Sequence, residues 1–123
     1  MSYPEIGKRV PFDVILPWAD LLGEGEDGYI YGLTDPRLNH AVAYIGQTIN
    51  LLRRYLEHCD PFTPKHESRR IWVLALRDQG QRPGLVLIER PVRSALLARE
   101  AYWIGFCRDL GYAWLNRGAT TPD

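Results

Sequence analysis

Only two cysteines occur among the 123 residues, Cys59 and Cys107, and neither belongs to a CxxC or a Cys/His cluster. Zinc ligation at the usual spacings and a disulfide framework are therefore not expected, and both thiols are expected to be reduced. Long apolar runs are missing as well. A bilayer span needs about 20 such residues, and the run Ile71 to Leu76 has six. The N-terminus lacks the basic start and apolar stretch of an export signal, so a cytoplasmic location with no membrane association is expected. Low-complexity segments and internal repeats are absent too. Excess charge of one sign is the last absence: 15 basic residues balance 15 acidic ones. Nonspecific affinity for a polyanion comes mainly from Lys and Arg displacing counterions, so overall neutrality argues for a partner found by something other than net charge.

What is present is a globular composition, 46% apolar and 24% charged, in a chain long enough for one compact domain. Its charge is unevenly placed. Residues 1 to 27 hold Lys8 and Arg9 against Glu5, Asp13, Asp20, Glu24, Glu26 and Asp27, a net of 2 − 6 = −4, which leaves 13 − 9 = +4 downstream. The expected organisation is an acidic leader over 1–27, a folded domain over 28–116 and a short tail over 117–123. Pro4, Pro11 and Pro17 make the leader read as extended, with one helical turn around Trp18 to Leu22.

Within the domain, Tyr29 to Leu33 and Val42 to Ile45 suit two strands of an antiparallel pair, joined by a turn beginning at Thr34-Asp35-Pro36. A helix is expected from Thr48, as N-cap, to His58, with Leu51, Leu52, Tyr55 and Leu56 as its apolar stripe. A loop over 61–65 follows. The run Ile71 to Leu76 suits a buried strand or a buried helix equally by periodicity. Gly80 as C-cap and Pro83 as stop favour a helix from Glu67 to Gln79. Leu85 to Ile88 reads as a central strand, and Ser94 to Leu110 as a long helix closed by Gly111. The predicted fold is α+β within the broad α/β class: a small, three-stranded, mostly antiparallel sheet flanked by helices, in the order β-β-α-α-β-α.

Three clusters carry the chemistry. At about 100° per residue, Leu96, Leu97, Trp103, Ile104 and Cys107 fall within roughly 60° of Glu100, which places a carboxylate inside an apolar stripe. Such a group needs a cation, either a metal or an arginine in a buried salt bridge. On the first helix Arg53 has Glu57 four residues on, whereas Arg54 has His58 at that spacing. Two cations on one face would suit an external phosphate, or would simply be solvated. Tyr29, Tyr31 and Tyr44 are brought together by the paired strands, either as packing residues or as reactive phenols. Glu89, at a strand end, is a rival metal contact or an ordinary surface charge. His40 and His66 fall in loops and receive no role.

Together these residues resemble the GIY-YIG nuclease family over about residues 28 to 116. Tyr29-Ile30-Tyr31 is similar to the first signature, with Tyr29 where glycine is usual and Gly28 just before it. Tyr44-Ile45-Gly46-Gln47-Thr48 matches the second signature. Arg54 and His58 follow Tyr44 by ten and fourteen residues, as the family's helix Arg and His follow their tyrosine. Glu100, within Arg99-Glu100-Ala101-Tyr102-Trp103-Ile104, matches the metal-binding glutamate, and Asn116 after Leu115 the closing asparagine. The resemblance implies a divalent-metal-dependent endonuclease acting on DNA. In it Tyr31 is the general base, acidified by Arg54, His58 and the metal. Glu100 holds one Mg²⁺ or Mn²⁺, and Arg54 donates to the phosphate. Tyr44 positions water or phosphate, His58 bonds near the tyrosines, and Asn116 orders the site. Gly46 and Thr48 form the structural turn, with Gly46 leaving room for close backbone approach.

Two other classes compete with that expectation. One is a fold of the same type that binds branched or single-stranded nucleic acid without cutting. The other is a protein-interaction subunit, prompted by the zero net charge. The chain has no room for an attached recognition domain beyond the leader and the loops, so a protein partner or an unusual DNA shape is the expected source of target specificity. The acidic leader, residues 1–27, reads as a solvated or edge-covering extension, or as a segment that lies across the basic face and restrains binding.

Overall fold

The computed structural model describes residues 27–62 and 66–116. The expected leader, its helical turn at Trp18 to Leu22, most of the 61–65 loop and the tail lie outside the described residues. The described part is an α+β fold whose elements run β1 (Tyr29–Asp35), β2 (Ala41–Thr48), α1 (Leu51–Cys59), α2 (Glu67–Asp78), β3 (Gly84–Glu89) and α3 (Leu96–Asp109). The three strands form one antiparallel sheet in the order β2-β1-β3. No described helix is long and apolar enough to cross a membrane.

The central strand is β1, not β3 as the apolar run Leu85 to Ile88 suggests. All seven β1 residues are buried, whereas Val86 alone is buried in β3. A strand flanked by partners on both edges and by helices on both faces is apolar throughout. Its alternating side chains feed two cores. Ile30 joins Val42, Ile45, Leu96, Cys107 and Tyr112 on the α3 side. Tyr29, Tyr31 and Leu33 join Tyr44, Leu51, Trp72 and Leu76 on the side of α1 and α2.

Each partner strand carries one extra residue against β1. Leu33 pairs with Tyr44 and Thr34 with Val42, so Ala43 is a bulge, and Ile88 is skipped in the same way in β3. The first bulge changes the parity of β2 and turns the backbone groups of both Val42 and Ile45 toward its outer edge. The chain after α3 covers that edge: Ala113 N–H donates to Val42 O at 2.8 Å, and Asn116 bonds both backbone groups of Ile45.

The helix ends follow local chemistry. α1 is capped by Asn50, whose side chain accepts from Arg53 N–H, rather than by Thr48. Thr48 ends β2, and its hydroxyl accepts from Asn50 N–H at 3.1 Å, so both polar residues are used in one turn. α2 ends at Asp78 with Gly80 in the left-handed conformation at φ 72°, as a helix-closing glycine should. α3 is shorter than expected, because residues 93–95 form a separate 3-10 turn before it. The Tyr55 hydroxyl donates to Pro83 O at 2.6 Å, tying α1 to the loop that leads into β3.

Candidate active site

Tyr31 lies in the middle of β1, directly across the ladder from Gly46. An added Cβ on Gly46 would overlap the hydroxyl and Cζ of Tyr31. The phenol ring therefore lies across the glycine, and the space beside Gly46 is filled by Tyr31 itself. Its hydroxyl reaches His58 Nε2 at 2.7 Å. Tyr44 completes the group, its ring standing edge-on to the imidazole with centroids 5.4 Å apart. All three side chains are buried.

His58 is thus turned inward, 6% exposed, rather than sharing an outer face with Arg54. The i, i+4 spacing is compatible with either outcome, and burial of Tyr31 selects the inward one. Arg54 is half-exposed and lies 3.4 Å from Glu57, which also has Arg53 at 4.0 Å. The expectation that Arg53 takes Glu57 and leaves Arg54 to an anion is thereby corrected: Glu57 stands between both arginines. Exposed pairs of this kind contribute little to stability, so either guanidinium can leave the carboxylate for a better anion.

Glu100 is half-buried on α3, with Leu96 and Cys107 buried, while Leu97 is 71% exposed. The stripe around the carboxylate is therefore narrower than helix geometry suggests. Glu100 lies close enough for its charge to bear on the Tyr31 hydroxyl. Burial is the largest influence there and pushes the phenol well above its usual range. The Tyr44 and Glu100 charges push the same way, while Arg54 and Arg69 oppose them. Cations do surround Tyr31, but in the protein alone they do not acidify it, because desolvation of the phenolate outweighs them.

Asn116 is 3% exposed and acts on backbone. Its Oδ1 accepts from Ile45 N–H at 2.7 Å and its Nδ2 donates to Ile45 O at 3.0 Å. It fixes the strand between Tyr44 and Gly46. Thr48 is spent on the turn before α1 and stands across the ladder from Tyr29. Glu89 accepts from Arg99 at 2.9 Å and Trp103 at 2.8 Å through one oxygen. The Trp103 hydrogen bond first, with Arg99, holds its carboxyl below the ordinary range. His40 bonds Thr34 at 3.2 Å, and His66 precedes α2 without capping it through its side chain.

The chain matches no known protein family, no curated protein and no solved structure.

The donor set bears on metal chemistry. Among the described residues, no three of His, Cys, Asp and Glu are grouped to hold a metal. A closed zinc site has no counterpart here. Glu100 is a single half-buried carboxylate, and Mg²⁺ is an ion that commonly takes only one or two protein carboxylates and keeps several waters.

One residue of this cluster escapes sequence reasoning. Arg69, in the first turn of α2, is buried with its guanidinium 4.6 Å above the Tyr44 ring. Its neighbours Glu67, Ser68 and Arg70 read as the polar start of an ordinary helix, and no spacing rule separates Arg69 from Arg70.

Proposed function

We propose that this protein is a divalent-metal-dependent endonuclease that hydrolyses DNA phosphodiester bonds, a cytoplasmic nuclease of the GIY-YIG type. The observation that supports it most is the 2.7 Å bond between Tyr31 and His58 within a group of residues that offers a base, two cations and one carboxylate. With its ring proton on Nδ1, His58 accepts the Tyr31 O–H at Nε2. When a water attacks phosphorus, Tyr31 takes the water's proton as its own passes to His58, so no free phenolate has to persist in a buried site. Arg54 leaves Glu57 and donates in fork geometry to a non-bridging phosphate oxygen. Tyr44 orients the water or the phosphate, and Asn116 keeps β2 in register beneath them. Glu100 would hold a Mg²⁺ or Mn²⁺, and the chemistry such an ion would supply is neutralisation of charge at the phosphate and at the leaving 3′ oxygen.

The test is a cleavage panel of duplex, nicked, flap, branched and single-stranded DNA with Mg²⁺ or Mn²⁺. At least one substrate is expected to be cut, and Glu100→Ala and Arg54→Ala each to slow cutting by about a hundredfold or more, the scale of a lost transition-state contact. If neither does so, the site assignment is wrong. A second reading is favoured by the raised pKa of Tyr31: a module of this fold that binds branched or single-stranded nucleic acid without cutting. Salt-sensitive binding with no cleavage under either metal would establish it. In both readings a protein partner supplies target specificity.

A further inference from the structure

Arg70 behaves as a surface arginine of a first helical turn should, 3.8 Å from Glu67. Arg69 does not. It is 8% exposed, and its guanidinium lies over the face of Tyr44. Taking a guanidinium out of water is costly even where a π face and polar neighbours return part of that cost, and the buried Nε of Arg69 has no hydrogen-bond partner among the described residues. An apolar side chain of similar length would bury there more cheaply, so packing does not account for the charge. The contacts beyond it do. Tyr44 stands edge-on to His58, and His58 bonds Tyr31. Arg69 is thus the first member of a continuous chain of contacts, Arg69 to Tyr44 to His58 to Tyr31, that joins α2 to a group otherwise built on β1, β2, α1 and α3. Its charge and that of Arg54 both bear on the Tyr31 hydroxyl, against Glu100 and Tyr44.

The geometry points to Arg69 as a positioning residue of the candidate active site, which holds the Tyr44 ring against His58 and gives the site a second fixed positive charge for a phosphate-class oxyanion. Arg54 is half-exposed and shared with Glu57, so it can move onto an anion and off it. Arg69, packed on a ring and permanently charged, keeps the region positive throughout. Its role in cleavage rests on the nuclease reading, whereas its role in anion binding does not.

Two measurements on the full chain separate these. In thermal denaturation with inorganic phosphate as probe, against chloride at matched ionic strength, phosphate should raise the melting temperature of the wild-type protein, since a ligand that binds only the folded state stabilises it. Arg69→Met, which keeps length and loses charge, should lose that rise, and Arg69→Lys should retain most of it. In cleavage, Arg69→Met should lower kcat by about ten- to a hundredfold, the scale of a misplaced catalytic group, with Arg69→Lys recovering part. Absence of a phosphate effect in the wild type, an equal effect in Arg69→Met, or unchanged cleavage by folded Arg69→Met each overturns the assignment. Should Arg69→Met not fold, Arg69→Gln is judged by the same outcomes. A phosphate effect that depends on Arg69 in a protein that cuts no DNA upholds the anion site and sinks the nuclease.

Discussion

An added Cβ on Gly46 overlaps the hydroxyl of Tyr31, its partner across the β1–β2 ladder. Gly46→Ala must therefore displace the phenol that His58 holds, because the ring is the part free to move. Overpacking of this kind costs about 1–3 kcal/mol, and a shift of about 1 Å at a reacting group costs about a hundredfold in rate. The variant is expected to melt cooperatively a few degrees lower and to lose most cleavage. Wild-type cleavage by Gly46→Ala would show that Tyr31 need not stand where it does. Asp35 makes a prediction about stability rather than chemistry. Burial raises its pKa, but hydrogen bonds from Arg37 and Trp72 outweigh burial and hold it below the model-peptide value of 3.8. A depressed folded pKa stabilises the protein above the unfolded value, and the stabilisation is lost as pH falls below 3.8 through the folded value. Asp35→Asn should cost about 3 kcal/mol at neutral pH, the scale of breaking a buried ion pair. Denaturant titrations should also show its stability falling less than the wild type's between neutral and strongly acid pH; equal acid sensitivity would place the titrating group elsewhere.

Among elements, what could be foreseen from the chain was whatever local chemistry determines. The aromatic and branched residues of Tyr29 to Leu33 mark β1, and Gly80 ahead of Pro83 resolves the ambiguous Ile71 to Leu76 run as part of α2. Strand order was not legible, because four apolar residues in β3 look as buried as those of β1 and only assembly reveals which strand has two neighbours. The cap of α1 was misread for a similar reason: Thr48 and Asn50 are both good caps, and the extension of β2 to Thr48 hands the role to Asn50. The resemblance to the nuclease family singled out Arg54 and His58 by their spacing from Tyr44, and the fold puts both near Tyr31. Arg69 stayed hidden, since its inward turn depends on where α2 docks. The β2 edge gives the element-scale prediction. Asn116 satisfies both backbone groups of Ile45, which face away from β1. Asn116→Leu has similar volume and leaves them unpaired, at a cost of about 3 kcal/mol for two buried backbone groups. Hydrogen exchange at the Ile45 amide should accelerate in that variant more than at amides of β3. A uniform loss of protection would mean that Asn116 supports the whole fold and not this edge.

At the scale of the whole molecule, the proposed nuclease function has to contend with the protein's charge. Fifteen basic and fifteen acidic residues leave no net attraction to a polyanion, yet Arg54, Arg69 and Arg53 lie on the side of the sheet where the phenols are. The balance is tipped by the first 26 residues, where Glu5, Asp13, Asp20, Glu24 and Glu26 outnumber Lys8 and Arg9. If those carboxylates compete with phosphate for the basic face, exchanging all five for their amides should tighten DNA binding. Net charge then moves from 0 to 0 + 5 = +5 without shortening the chain. Counterion release makes any such gain large at low salt and small at high salt, with log affinity falling by about 0.9 per phosphate contact for each tenfold rise in salt. Restraint by the leader therefore predicts a steeper salt dependence in the amide variant, with the two proteins converging at high ionic strength. Equal affinity at every salt concentration would dispose of the leader as a restraint, and the burden of bringing a neutral protein to DNA would then fall on a partner.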